Sequence, residues 1–129
     1  MADLEQLKQK YAPVMEKMDQ FSPYGATVEV VDLDGEQLHI KGSVPSVVVA
    51  NRIWDTIKHV DPQYADLHHE IATAGPENQP YMIQEGDTLS AICVLFYGNA
   101  NKYLKVAEIN GIQPDSISIG QTIQLPVLS

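Results

Sequence analysis

From position 4 to 21 the apolar residues are Leu4, Leu7, Tyr11, Val14, Met15, Met18 and Phe21, spaced by three and four, the stripe that an amphipathic helix buries. Pro13 falls inside that stripe. Either one helix kinks there, or two short helices meet with Pro13 near the first turn of the second. After the turn residues Ser22-Pro23-Tyr24-Gly25 the period changes to two, first over 26–32 and again over 37–44. Those segments read as strands, and Asp32-Leu33-Asp34-Gly35 between them supplies Asp-Gly turn chemistry, so they form a hairpin. From Pro45-Ser46 onward Val48, Val49, Ile53, Ile57 and Val60 return to helical spacing, with Trp54 beside them. The β-branched run 47–49 is one that a helix tolerates only through tertiary packing. Asp61-Pro62 ends this helix, and 67–71 alternates as a third strand. Residues 1–73 therefore predict an αββαβ unit with helices on one face of a small sheet.

Residues 74–80 hold two prolines and a glycine, with no apolar side chain larger than alanine among them; this composition predicts a linker. Beyond it, 81–84 reads as a short strand and Glu85-Gly86 as a turn. Asp87 or Thr88 then offers an oxygen to the unsatisfied amides of a new helix. Leu89, Ile92, Cys93 and Phe96 share one face of that helix, and Gly98 suits the left-handed residue that closes it. A second helix starts around Asn99 to Asn101 and ends at Asn110-Gly111. The last strand covers 120–126. Residues 81–129 predict a βααβ unit, so the chain as a whole is α+β.

Two stretches resemble known families. Tyr81-x-Ile-x-x-Gly-Asp-Thr-Leu-Ser-x-Ile92, Tyr97-Gly-Asn99, Ile109-Asn110 and Pro114-x-x-Ile117-x-x-Gly120-Gln-x-Ile-x-Leu-Pro126 together resemble a LysM domain. The resemblance implies binding of N-acetylglucosamine-containing glycans such as peptidoglycan or chitin. The groove it implies lies between Gly86, Asp87, Thr88 and Leu89 on one wall and Gly111, Ile112, Gln113, Pro114 and Ile117 on the other. Apolar side chains there would meet the acetamido methyl and ring faces. Much of the GDTLS signature is also what a cap and a core require. The N-terminal half resembles a BON domain through Val28-x-Val30 and Leu38-x-Ile40-x-Gly42-x-Val44, although Val60-Asp-Pro-Gln-Tyr64 stands where that family has glycine-valine. A BON-like unit followed by LysM is similar to the small bacterial potassium-binding proteins. That resemblance implies K⁺ sensing or buffering, with a change of shape on binding. Backbone carbonyls would supply the ligands such an ion needs, and the seam between the first helix, the linker and the Glu85-Gly86 turn is the expected place, with Glu85 and Gly86 as candidate donors.

Composition narrows the partners. The 129 residues are 44% hydrophobic and 19% charged, with 17 acidic and 8 basic side chains and a formal net charge of −9. No Lys/Arg cluster is present to hold phosphates, which argues against nucleic acid and anionic membranes as partners. Cations are what a negative surface tolerates best. The polar start MADLEQLKQK shows no apolar targeting segment, and the single cysteine forms no internal disulfide, so a cytoplasmic protein is expected.

The remaining constellations carry weaker signals. His68-His69-Glu70 lies in a predicted strand, where neighbours face opposite ways, so His68 and His69 do not chelate together. His39 on the adjacent strand brings the count to two ligands, below the three or four of a zinc site. Asp32, Asp34 and Glu36 around Gly35 are explained by the hairpin, and Cys93 by a buried helix face. No nucleophile–base pair or phosphate loop appears. The chain thus reads as a non-catalytic binding protein needing no cofactor beyond K⁺. Its ligand is K⁺ or, alternatively, an N-acetylglucosamine-containing glycan. A third reading is a protein partner, in an assembly role of the phage-baseplate kind.

Overall fold

The computed structural model describes residues 3–128. Over the first apolar stripe two helices form, α1 (Leu4–Lys10) and α2 (Ala12–Gln20), with Tyr11 between them and Pro13 in the first turn of α2. A proline there removes an N–H that would have no helical partner, so it starts the second helix and does not bend a single one. Asp3 caps α1, accepting from the Glu5 amide at 2.9 Å.

β1 (Thr27–Asp34) and β2 (Gln37–Val44) make the expected antiparallel hairpin. Pairing continues to Asp34 opposite Gln37, which leaves Gly35-Glu36 as the loop, with Gly35 at φ +62°. α3 (Val47–Val60) is capped by the Ser46 hydroxyl, which accepts from the Val49 amide at 3.2 Å. It carries the chain across to β3 (Leu67–Thr73), which pairs parallel to β2. Between α3 and β3 the Asp61 carboxylate accepts from the Gln63 amide at 3.0 Å, and Tyr64 takes φ +36°. The sheet order is β1-β2-β3. Its covered face contributes Leu38, Ile40, Val44 and Leu67 to the core, along with Val14 and Met18 of α2 and Val49, Ile53 and Ile57 of α3. At Gly42 the strands come so close that a Cβ would lie 2.3 Å from the Thr27 carbonyl oxygen, a crowding only glycine accepts.

The C-terminal half follows the predicted βααβ order. β4 (Gln79–Met82) and β5 (Thr122–Leu125) pair antiparallel, and α4 (Leu89–Tyr97) and α5 (Tyr103–Asn110) lie between them in sequence. α5 begins later than the sequence pattern suggests. Asn99 instead caps a 3-10 turn, Ala100–Lys102, through the Asn101 amide at 2.9 Å. Glycine closes both helices in the left-handed conformation, Gly98 at φ +71° and Gly111 at φ +65°. The mixed helices and two small sheets make the chain α+β.

The segment between the halves is held in place. The Val47 and Val48 amides, which open α3, donate to the Pro76 and Glu77 carbonyls at 3.2 and 3.3 Å, so linker carbonyls satisfy the otherwise unpaired end of a helix. Gly75 approaches Pro45 so closely that a Cβ would sit 2.2 Å from its carbonyl oxygen. Gln79, which is buried, and Pro80 already belong to β4.

The buried apolar residues of both halves form one continuous cluster. At the seam Phe21 and Tyr24, just past α2, meet Tyr81 and Phe96. Ring centroids are 5.2 Å apart for Phe21–Phe96, 5.3 Å for Tyr24–Phe96 and 5.7 Å for Tyr24–Tyr81. Such tilted and edge contacts add to the area burial itself. Alongside them the Arg52 guanidinium of α3 donates through Nε to the Leu95 carbonyl at 3.1 Å.

Candidate functional site

The turn from β4 into α4 is built from side chains that bond to one another. The Asp87 carboxylate accepts from the Tyr81 hydroxyl and from the Gln84 amide, both at 2.7 Å. Burial and that bond both push the Tyr81 phenol above its ordinary pKa. Thr88, not Asp87, is the helix cap: its hydroxyl accepts from the Ala91 amide at 3.2 Å. On the opposite side Asn110 fastens α5 to β5. Its Nδ2 donates to the Val106 and Gln124 carbonyls at 2.8 Å, and its Oδ1 accepts from the Gln124 amide at 2.9 Å.

Between these two turns opens a groove of about 490 Å³, lined by Thr88, Leu89, Ser90, Tyr103, Pro114 and Asp115. Of the residues named from sequence, Thr88, Leu89 and Pro114 line it. Gly86 stands clear at an exposed turn, where a Cβ would meet nothing within 4 Å. Asp87 is committed to Tyr81 and Gln84. Gly111 closes α5, Ile112 and Ile117 pack half-buried against the core, and the Gln113 carbonyl accepts from the Ser116 amide at 3.0 Å. Ser90, Tyr103 and Asp115 were not legible as wall residues. Tyr103 lines it as the first residue of α5, directly after the 3-10 turn. The wall offers hydroxyls, a phenol ring, a carboxylate and a proline, a mixture that suits a polar ring compound with apolar faces.

Glu85 and Gly86, the candidate cation donors, lie exposed on the same turn, with Gly86 at φ +85°. Beside the aromatic rings of the seam, a smaller cavity of about 170 Å³ is lined by Phe96, Asn51, Arg52, Asp55, Tyr97 and Asn99, among others.

The histidines divide as strand geometry requires. His69 turns under the sheet against Trp54 and Tyr64, with ring centroids 5.1 and 6.0 Å away, and burial lowers its pKa. His68 joins His39 and Glu70 on the open face. Hydrogen bonds to Glu70 and then Asp32 raise the pKa of His39. Asp32 and Asp34 each bond a histidine and do not converge on a common point around Gly35. Cys93 is fully buried on the inner face of α4, and burial pushes its thiol up to about 11, which removes it as a nucleophile at neutral pH.

Residues 81–126 match the LysM domain family, so the C-terminal half of the chain carries a LysM domain. The chain is similar to the potassium binding protein Kbp of Escherichia coli, at 42% identity over 67 residues, a stretch covering 48% of this chain and 45% of that protein. It is also similar to an esterase of Mycobacterium tuberculosis, at 43% identity over 64 residues, covering 49% of this chain and 14% of the esterase. The chain thus spans less than half the length of these curated relatives, and most of the esterase is unmatched. No helix among the described residues is long and apolar enough to cross a membrane.

Proposed function

We propose that this chain is a non-catalytic BON–LysM-type protein that binds K⁺ at the seam between its halves and acts as a cytoplasmic sensor or buffer. The observation that carries this reading is its 42% identity with a protein named for binding potassium. Two physical features support it. A net charge of −9 favours the approach of cations. The continuous core joins the halves, so a ligand held at the seam acts on one body. A large monovalent ion exchanges its water shell for carbonyl oxygens, and the Glu85 and Gly86 carbonyls, on the open turn that follows the seam residue Tyr81, are proposed as two of its donors. Calorimetry of the full chain with KCl against NaCl at matched ionic strength tests the reading. Saturable binding of K⁺ that Na⁺ does not reproduce supports it, and equal or absent heats for the two salts overturn it.

A specific observation favours a second ligand class, N-acetylglucosamine-containing glycan. The groove of about 490 Å³ is open, and Tyr103, Pro114 and Asp115 supply a stacking surface and an acceptor there. Chitin oligomers should then bind the wild-type chain and bind the Tyr103→Ala variant at least about tenfold more weakly, as expected when a stacking ring is lost. Failure of the wild-type chain to bind chitin oligomers or to co-sediment with peptidoglycan removes this reading.

A further inference from the structure

The open face of β1-β2-β3 carries a side-chain cluster that neither ligand reading uses. Strand register creates it. His39 on β2 lies opposite Asp32 on β1 and opposite His68 on β3. Residues two apart on a strand share a face, so Asp34 and Glu70 join them. The His39 Nδ1 is 2.9 Å from Asp32 Oδ1, and the His68 Nδ1 is 2.8 Å from Asp34 Oδ2. The two imidazoles stack with centroids 4.8 Å apart. Both Nε2 atoms face the Glu70 carboxylate, His39 at 2.6 Å from Oε2 and His68 at 3.9 Å from Oε1.

We infer that His39 Nε2, His68 Nε2 and the Glu70 carboxylate form a binding site for a divalent first-row transition ion such as Zn²⁺, with Asp32 and Asp34 as positioning residues. Each imidazole has its Nδ1 within hydrogen-bond distance of a carboxylate, which orients the ring; on binding, the ion takes the place of the proton that His39 Nε2 now shares with Glu70. The three ligand atoms lie within 4.8 Å of one another. A tetrahedral ion with bonds of 2.0–2.2 Å needs ligand atoms about 3.3–3.6 Å apart. The His39–Glu70 separation of 2.6 Å lies below that span and the His68–Glu70 separation of 3.9 Å above it, so binding an ion requires these exposed side chains to adjust. Imidazole ligands select Zn²⁺, Cu²⁺ or Ni²⁺ over K⁺ or Mg²⁺, so this site is chemically separate from a carbonyl-lined K⁺ site. Three protein ligands leave the fourth position to water. His39 is 17% exposed, whereas His68 and Glu70 are 39% and 49% exposed, so the ion enters from solvent.

The test is titration of the full chain with Zn²⁺ in a potassium buffer at neutral pH, with Co²⁺ as a spectroscopic substitute. One equivalent should bind, and Co²⁺ should give the visible absorption of a tetrahedral nitrogen–oxygen site. His39→Ala, His68→Ala and Glu70→Gln should each abolish stoichiometric binding. Asp32→Asn should weaken it about 10- to 100-fold and shift the Co²⁺ bands. His59→Ala, on the far helix, should change nothing. All these side chains lie on a solvent face, so unchanged circular dichroism and Trp54 fluorescence serve to verify that each variant folds. Absence of saturable Zn²⁺ binding by the wild-type chain overturns the inference, as does undiminished binding by the His39→Ala/His68→Ala double variant.

Discussion

The turn into α4 and the open face of β1-β2-β3 differ in how their polar side chains are used. On the turn, Asp87 and Thr88 bond to the local backbone and to Tyr81, and across the groove Asn110 makes two bonds to β5 and one back into α5. Little of that polar chemistry is left for a ligand. On the sheet face, Asp32, Asp34, His39, His68 and Glu70 bond only one another, in solvent. The most recognisable residues of the chain are thus engaged in holding the fold. The residues freest to meet a ligand carry no motif.

If the first half of that comparison holds, damage on the LysM side should be structural and should reach the other half. Phe96→Ala removes a buried ring from the aromatic seam and should cost about 3–5 kcal/mol. Trp54 is the single tryptophan and lies in the N-terminal half. Its fluorescence in urea should therefore report a lower unfolding midpoint for this C-terminal substitution, and an unmoved Trp54 transition would mean that the halves unfold independently. Asn110→Ala gives up three hydrogen bonds, so a loss of about 2–3 kcal/mol is expected in denaturant titration. Thr88→Ala deletes one cap, and its cost should be about 1 kcal/mol.

The smallest effect concerns the tie between α1 and the loop before β3. The Lys10 ammonium bridges Asp61 and Asp66 at 2.8 and 2.7 Å, and Tyr11 donates to Asp66 as well. The bonds from Lys10 and the Gln63 amide hold Asp61 below its ordinary value of 3.8. For Asp66, burial pushes upward, but the bonds from Lys10 and Tyr11 prevail and it too is lowered. Carboxylates with depressed folded pKa values contribute stability above about pH 4 that is lost as pH falls through the folded values. Lys10, raised by the same bonds, contributes below about pH 10 and loses that contribution as pH rises further. Thermal melts should fall on the acid side, below about pH 4, and that fall should be less steep for Lys10→Met than for the wild type.

Much of the fold could be read from periodicity, because most of its helices and strands turn one apolar face to the core. Pro13, Gly98 and Gly111 marked boundaries for reasons of backbone geometry alone. The delayed start of α5 was not legible, since a 3-10 turn and a helix present similar apolar spacing, and with it Tyr103 escaped notice as a wall residue. Thr88 and Asp87 were interchangeable as caps until Tyr81 was seen to occupy Asp87. The parallel pairing of β2 with β3 was also hidden, because register across a helical crossover leaves no local trace. That register sets Glu70 beside His39 and His68, turning two candidate ligands into three.

The central claim is that K⁺ engages both halves through their shared seam. Amide hydrogen exchange of the full chain in KCl and in NaCl at equal ionic strength tests it most directly. The account predicts slower exchange in KCl at the 84–87 turn and also on the N-terminal side of the seam around Phe21 and Tyr24. Identical protection in the two salts, or a K⁺ effect confined to one half, would contradict it.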